Sequence, residues 1–400
     1  MELNDLFREM LERSSSDLHL KVGRPPLMRI HGELLPTEHP VLTTEEVRRL
    51  VYMVLKDRDI GRFERDLELD TAHTFEDRAR FRINLFYQRG QMGAVMRLIP
   101  LTIPTVDELA LPPVLKDLAL RNQGLILFTG PTGSGKSTSM AAMLHHVNQN
   151  QHRHVVTIED PIEFVHEDML ATINQRELGT DTYSLTEALK HVLRQDPDVI
   201  LLGEMRDPET IETAMLAAET GHLVFSTLHT NDSKQTMDRI LESFEGNHQK
   251  QIRSLLSLTL LAVLSQRLLS KADGSGRVAA LEIMVNSPNV SQVIAKGSTY
   301  ELEDIIAKSS RYWDMQTFNQ ALCHLVKAGT VTASVALSNS ANPGDLRLML
   351  RGVGIGSADI DKLTENLLEP SPEDHSMDTG QEALSGSPQQ HKGMDRGFQF

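Results

Sequence analysis

Apolar residues open the chain at Leu3, Leu6, Phe7, Met10 and Leu11, a spacing that predicts a helix with one buried face. After Ser14-Ser15-Ser16, the alternation in Asp17-Leu18-His19-Leu20-Lys21-Val22 predicts a strand. A Gly23-Arg24-Pro25-Pro26 turn leads to a second strand over residues 27–34, and Thr43-Thr44-Glu45-Glu46 reads as a helix cap followed by early acids. Two more strands are predicted over 79–86 and 93–99. In the first, Phe81, Ile83 and Leu85 share one face, which puts Arg80, Arg82 and Asn84 on the other, with Arg97 on a neighbouring strand. The alternation fits a solvated sheet face as well as a cationic rank aimed at a ligand. These elements predict an α+β domain over residues 1–100. The prolines at 100, 104, 112 and 113 then predict a linker over 101–113.

From residue 114 the pattern changes to apolar strands alternating with helices, the mark of an α/β domain around a parallel sheet. Strands are predicted at 124–129, 154–160, 198–204 and 223–229. The most apolar run, residues 255–264, falls short of the roughly 20 residues a bilayer span requires and reads as a buried core helix. Helical segments dominate after 300, so this domain is predicted to extend over 114–368 with a helical C-terminal part. Residues 369–400, rich in Pro, Ser and Gly and without apolar periodicity, read as a disordered tail.

Composition narrows the possibilities. With 55 Asp and Glu against 40 Lys and Arg, the net charge of −15 disfavours nonspecific nucleic-acid binding. The single cysteine, Cys323, excludes an intramolecular disulfide and a four-cysteine zinc module, and fits a reducing compartment. No signal-peptide pattern stands at the N-terminus.

The candidate chemistry gathers where the predicted parallel strands end. Gly130-Pro131-Thr132-Gly133-Ser134-Gly135-Lys136-Ser137, leading into Thr138, fits the phosphate-binding pattern G-x-x-x-x-G-K-[ST] between a strand and a helix. Its glycines let backbone N–H groups turn around an anion, Lys136 reaches terminal phosphates, and the Ser137 hydroxyl can ligate Mg²⁺. Glu204 ends an apolar strand, where a carboxylate can polarise water or hold Mg²⁺ through a water molecule. Gly203 stands where a metal-binding aspartate is usual, and Asp198 lies at that strand's start. Glu159, Asp160 and Glu163 end another strand. His222 and His229 bracket a third and are read as lying at the same sheet edge.

These residues carry a resemblance. Residues 130–137, 157–164, 198–207 and 220–231 resemble the Walker A, Asp box, Walker B and His box of the secretion and type IV pilus ATPases. The absent cysteines make the chain similar to the retraction branch, PilT and PilU. Leu111 to Ala119, Tyr300 to Lys308 and Asp345 to Leu350 favour the PilU side. The resemblance implies a PAS-like N-terminal domain, a RecA-like ATPase domain and a homo-hexamer using ATP and Mg²⁺. It also implies a cytoplasmic location at the inner membrane, beside a PilT-like ATPase and an inner-membrane pilus platform protein. Arg80, Arg82 and Arg97 match arginines that approach nucleotide, and Glu204 and Glu159 are the candidates for activating water. A nucleotide-binding accessory subunit with little hydrolysis, and an extension or secretion ATPase, are the alternative readings.

Overall fold

Two sheets with separate cores organise the chain in a computed structural model that describes residues 1–30, 32–76, 79–99 and 102–354. The tail expected from 369 lies outside the described residues.

The first sheet is antiparallel. Its strands are β1 (Asp17–Lys21), β2 (Leu27–Ile30), β3 (Glu33–Pro36), β4 (Glu68–Phe75), β5 (Ala79–Gln88) and β6 (Gln91–Ile99), in the order β3-β2-β1-β6-β5-β4. The single strand expected over 27–34 is therefore two, because the backbone turns at Gly32, whose φ of +88° suits a residue without a Cβ. Helices Leu3–Glu12 and Thr44–Tyr52 contribute buried residues to the core of this sheet, the second opening on a reciprocal cap between Thr43 and Glu46. Phe7 stacks on Phe81 with ring centroids 4.0 Å apart. The predicted alternation holds in β5: Phe81, Ile83 and Leu85 are buried, and Arg82 stands directly opposite Arg97 of β6.

The second sheet contains β7 (Gly124–Thr129), β8 (His154–Glu159), β9 (Thr172–Glu177), β10 (Val199–Leu202), β11 (Leu223–Leu228), β12 (Leu260–Ser270) and β13 (Arg277–Val285). The order is β13-β12-β7-β11-β10-β8-β9, and only the β12–β13 pair is antiparallel. Both faces are covered. Leu125, Leu127, Ile158 and Ile200 belong to one core, Ile126, Phe128, Val155 and Leu201 to the other, as the alternation of a buried strand requires. Helix Lys136–Asn150 adds Met140, Met143, Leu144 and Val147 to the second core.

The apolar run at 255–264 departs from the expected single helix. Helix Gly246–Thr259 ends in its middle, and from Leu260 the chain is β12, paired with β7 and β13. Its leucines satisfy either structure; strand pairing on both sides decides. Beyond β13, helices Phe318–Lys327, Ala333–Asn339 and Pro343–Gly352 enclose a small core with Leu269, Val278 and the buried Cys323.

Candidate nucleotide site

The loop 130–137 follows directly from β7 at the sheet's carboxyl edge, where ligands of parallel α/β sheets bind. Helix Lys136–Asn150 starts within it, so the N–H groups of Lys136, Ser137 and Thr138 have no acceptor inside the helix and face outward with its dipole. Gly130 has a φ of +136°, and a Cβ there would stand 2.3 Å from the Gln266 carbonyl oxygen. A Cβ on Gly135 would meet the Gln266 amide nitrogen at 2.9 Å. Both positions demand glycine. Ser134 Oγ is buried with no hydrogen-bond partner among the described residues. A cradle closed to side chains, with outward N–H donors and an orphaned hydroxyl, fits a phosphate group.

Lys136 is almost wholly buried and donates from Nζ to the carbonyls of Gly130 at 2.7 Å and Pro131 at 3.1 Å. Burial lowers its pKa, against the pull of Glu204 and Glu163, which raise it.

Glu204 lies just past β10. Its Oε2 accepts from Arg206 Nε at 2.9 Å, and His229 Nε2 stands 3.3 Å from its Oε1. Thr227 fixes the preceding residue by donating to the Gly203 carbonyl at 2.7 Å. Glu159 closes β8. Its Oε1 accepts from Thr157 at 2.6 Å and from Gln175 at 3.1 Å. Burial pushes its carboxyl above the ordinary range, although those two hydrogen bonds pull downward.

Among the described residues no group of three or more His, Cys, Asp or Glu side chains is arranged to hold a metal ion. A divalent ion at this loop would take its ligands from the Ser137 hydroxyl, phosphate oxygens and water, the manner in which Mg²⁺ is commonly bound.

The two histidines are separated. His229 reaches Glu204, but His222 precedes β11 and sits at the opposite edge, about 20 Å away for a strand of this length. Its Nδ1 lies 2.8 Å from the Ala217 carbonyl, so it closes the turn after helix Pro208–Glu219. Its catalytic placement in this site is corrected accordingly: a residue that starts a parallel strand and one that ends it cannot share an edge.

The arginines are likewise engaged elsewhere. Arg97 Nε binds Asp17 Oδ1 at 2.7 Å, and Arg82 Nε stands 3.9 Å from Asp70. Arg80 reaches across to the second sheet, donating to Glu177 Oε2 at 3.2 Å. Glu177 also accepts from the Ile162 N–H at 3.3 Å, inside the segment that carries Glu163.

Sequence reading missed Gln266, Gln175 and Glu177. Gln266 had a signal: Ser265-Gln266-Arg267 interrupts an apolar run, and a polar triplet inside a buried segment needs partners. Ser265 Oγ accepts from Thr129 Oγ1 at 2.9 Å, and Gln266 Nε2 donates to the Ser134 carbonyl at 2.9 Å.

Fold and site together define a phosphate-binding α/β protein of the P-loop class. The family model described as type II/IV secretion system protein matches residues 2–337. The type IV pilus ATPase PilU of Pseudomonas aeruginosa is 41% identical over 92% of this chain and 96% of its own length. The type IV pilus retraction ATPase PilT of the same organism is 42% identical over 86% of the chain and 99% of its own length. A crystal structure of the pilus retraction motor PilT with bound ADP superposes with a TM-score of 0.82, at 42% identity, covering 87% of this chain and 99% of that one. The chain belongs to the type II/IV secretion system protein family, and within it to the type IV pilus retraction ATPases of the PilT and PilU kind.

Proposed function

We propose that this protein hydrolyses ATP as a hexameric motor of type IV pilus retraction, acting beside a PilT-like ATPase on an inner-membrane platform protein at the cytoplasmic face. On this reading the first sheet and its helices form a PAS-like domain ending near residue 100, and the region from 114 forms a RecA-like domain. The observation that carries the reading is the convergence of Lys136, Ser137, Glu204 and Glu159 at one sheet edge. Relatives spanning nearly the whole chain support the pilus role, and no helix among the described residues is long and apolar enough to cross a membrane.

The residues divide the work by their surroundings. The loop N–H groups and Lys136 bind the phosphates of ATP, and Ser137 would hold Mg²⁺, whose positive charge would offset that of the phosphates. Glu204, partly open to solvent and oriented by Arg206 and His229, orients and deprotonates the attacking water. Glu159, with one oxygen occupied by Thr157 and Gln175, is the positioning carboxylate beneath the 160–164 segment. Arg82 and Arg97 supply positive charge from the N-terminal domain when subunits assemble.

A gene deletion complemented with variants tests the function in cells. Wild type is expected to restore twitching and clear excess surface pili, and Lys136→Ala to restore neither at equal protein level. Full rescue by Lys136→Ala would overturn the motor reading.

A further inference from the structure

Two consecutive residues of β12 face opposite ways, as neighbours on a strand must, and each grips a different part of the molecule. Gln266 is 2% exposed. Its Nε2 donates to the Ser134 carbonyl at 2.9 Å, and its Oε1 accepts from Ser139 Oγ at 2.8 Å. Its own carbonyl fills the space where Gly130 would carry a Cβ. One side chain and one carbonyl thus touch the phosphate loop at its start, its middle and the first turn of its helix.

Arg267 turns the other way. Its Nη1 donates to the carbonyl of Asn339, the last residue of helix Ala333–Asn339. Its guanidinium lies 4.4 Å from the centroid of Phe318, the first residue of helix Phe318–Lys327. Both helices share a core with Leu346 and Leu350 of the last described helix. A cavity of about 130 Å³ lined by Arg267, Glu282, Phe318, Asn319 and Asn342 lies at the same junction. Gln266 pairs with Leu281 and Arg267 with Ala280 of β13, while the adjoining Ser265 pairs with Thr129 of β7, the residue from which the loop departs. A load on Arg267 is therefore carried along a strand paired with β13 at Arg267 and Gln266 and with both β13 and β7 at Ser265, not absorbed by a loop.

The geometry points to Gln266 as a positioning residue for the phosphate loop, and to Arg267 as the link through which the C-terminal helices set that position. The consequence for nucleotide affinity rests on the function proposed above; the mechanical link does not. A merely structural role predicts something different. Gln266 would then satisfy buried polar groups, and changes at Arg267 or Phe318 would be felt only among the C-terminal helices.

Amide hydrogen exchange of residues 133–139 in the nucleotide-free full chain separates the two. The set comprises wild type, Gln266→Leu, Arg267→Lys, Phe318→Leu and the Gln266→Leu/Arg267→Lys double variant, with helix Thr44–Tyr52 as internal reference. Arg267→Lys keeps the charge and loses the planar stack. It and Phe318→Leu are each expected to speed loop exchange about threefold to tenfold without altering the reference helix. The double variant is expected to match Gln266→Leu alone, since both changes act through one contact. In ATPase assays the same variants should raise KM with kcat little changed. Unchanged loop exchange in both Arg267→Lys and Phe318→Leu overturns the link, as does an additive double variant. Should Gln266→Leu fail to fold, the single variants at Arg267 and Phe318 still decide. Failure of the wild type to bind ATP would remove the functional reading and leave the exchange result standing by itself.

Discussion

Glu159 illustrates at the scale of one residue how a site stores instability. Burial raises its carboxyl pKa, so the folded protein holds that proton more tightly than the unfolded chain does. A carboxylate of this kind costs stability once pH rises above its unfolded value of 4.5, and the cost persists at neutral pH. Glu159→Gln keeps an oxygen for Thr157 and removes the buried charge. It is expected to raise thermal stability, on the order of 1 kcal/mol near pH 7, while slowing turnover. Parallel melts and ATPase assays check this; a lower melting temperature would show that the charge is satisfied in place. Lys136, Ser137, Glu159 and Glu204 were legible in the sequence because each follows a short apolar strand with local spacing. Glu177 was not, and the polar triplet that marks Gln266 does not name its partner, since the partners of the two lie 97 and 132 residues away. Distance along the chain hides such pairs.

At the scale of elements, the antiparallel sheet turns a rank of arginines into two different situations. Arg97 is tied to Asp17, whose side chain is 4% exposed. Burial alone would raise the Asp17 pKa, but hydrogen bonds from Ser16 and Arg97 outweigh it and hold the group below its ordinary value. Arg29 Nε, 3.7 Å away, is the remaining cation. Arg97→Ala is therefore expected to cost about 1–3 kcal/mol at pH 7, the penalty of under-satisfying a buried polar group. Because the folded pKa is depressed, that contribution is present above pH 3.8 and lost as pH falls through the folded value, so the variant and wild type should converge in acid. Arg82→Ala, a half-exposed side chain 3.9 Å from Asp70, should stay within about 0.5 kcal/mol. Equal losses from both variants, measured by urea unfolding at pH 7 and in acid, would contradict the distinction. The arginine face was readable from alternation, whereas the register that gives Arg97 its buried partner was not. The apolar run at 255–264 misled for a related reason: leucines suit a helix or a central strand, and only pairing with β7 and β13 separates them.

Over the whole molecule, the two sheets are joined where Arg80 meets Glu177, a carboxylate whose side chain is 6% exposed. Glu177 also receives the Ile162 N–H, so the same group holds both the N-terminal sheet and the segment bearing Glu163. Arg80→Ala leaves that carboxylate short of its cation and is expected to lower stability by about 1–3 kcal/mol and to broaden or split the calorimetric transition as the units uncouple. A single, unshifted transition would place no load on this contact. The general organisation, an α+β region followed by a parallel α/β region, was legible from the change in hydrophobic pattern near residue 114. The ion pair between them was not, because nothing in a strand's alternation says what its polar face will meet. The central claim, that the loop at 130–137 and Glu204 together hydrolyse ATP, is tested most directly by steady-state ATPase turnover of the purified full-length protein with Mg²⁺. The account predicts turnover by the wild type and its loss by about a hundredfold or more in Glu204→Gln with ATP affinity retained. Undiminished turnover in Glu204→Gln, or a wild type that binds ATP without hydrolysing it, would contradict it.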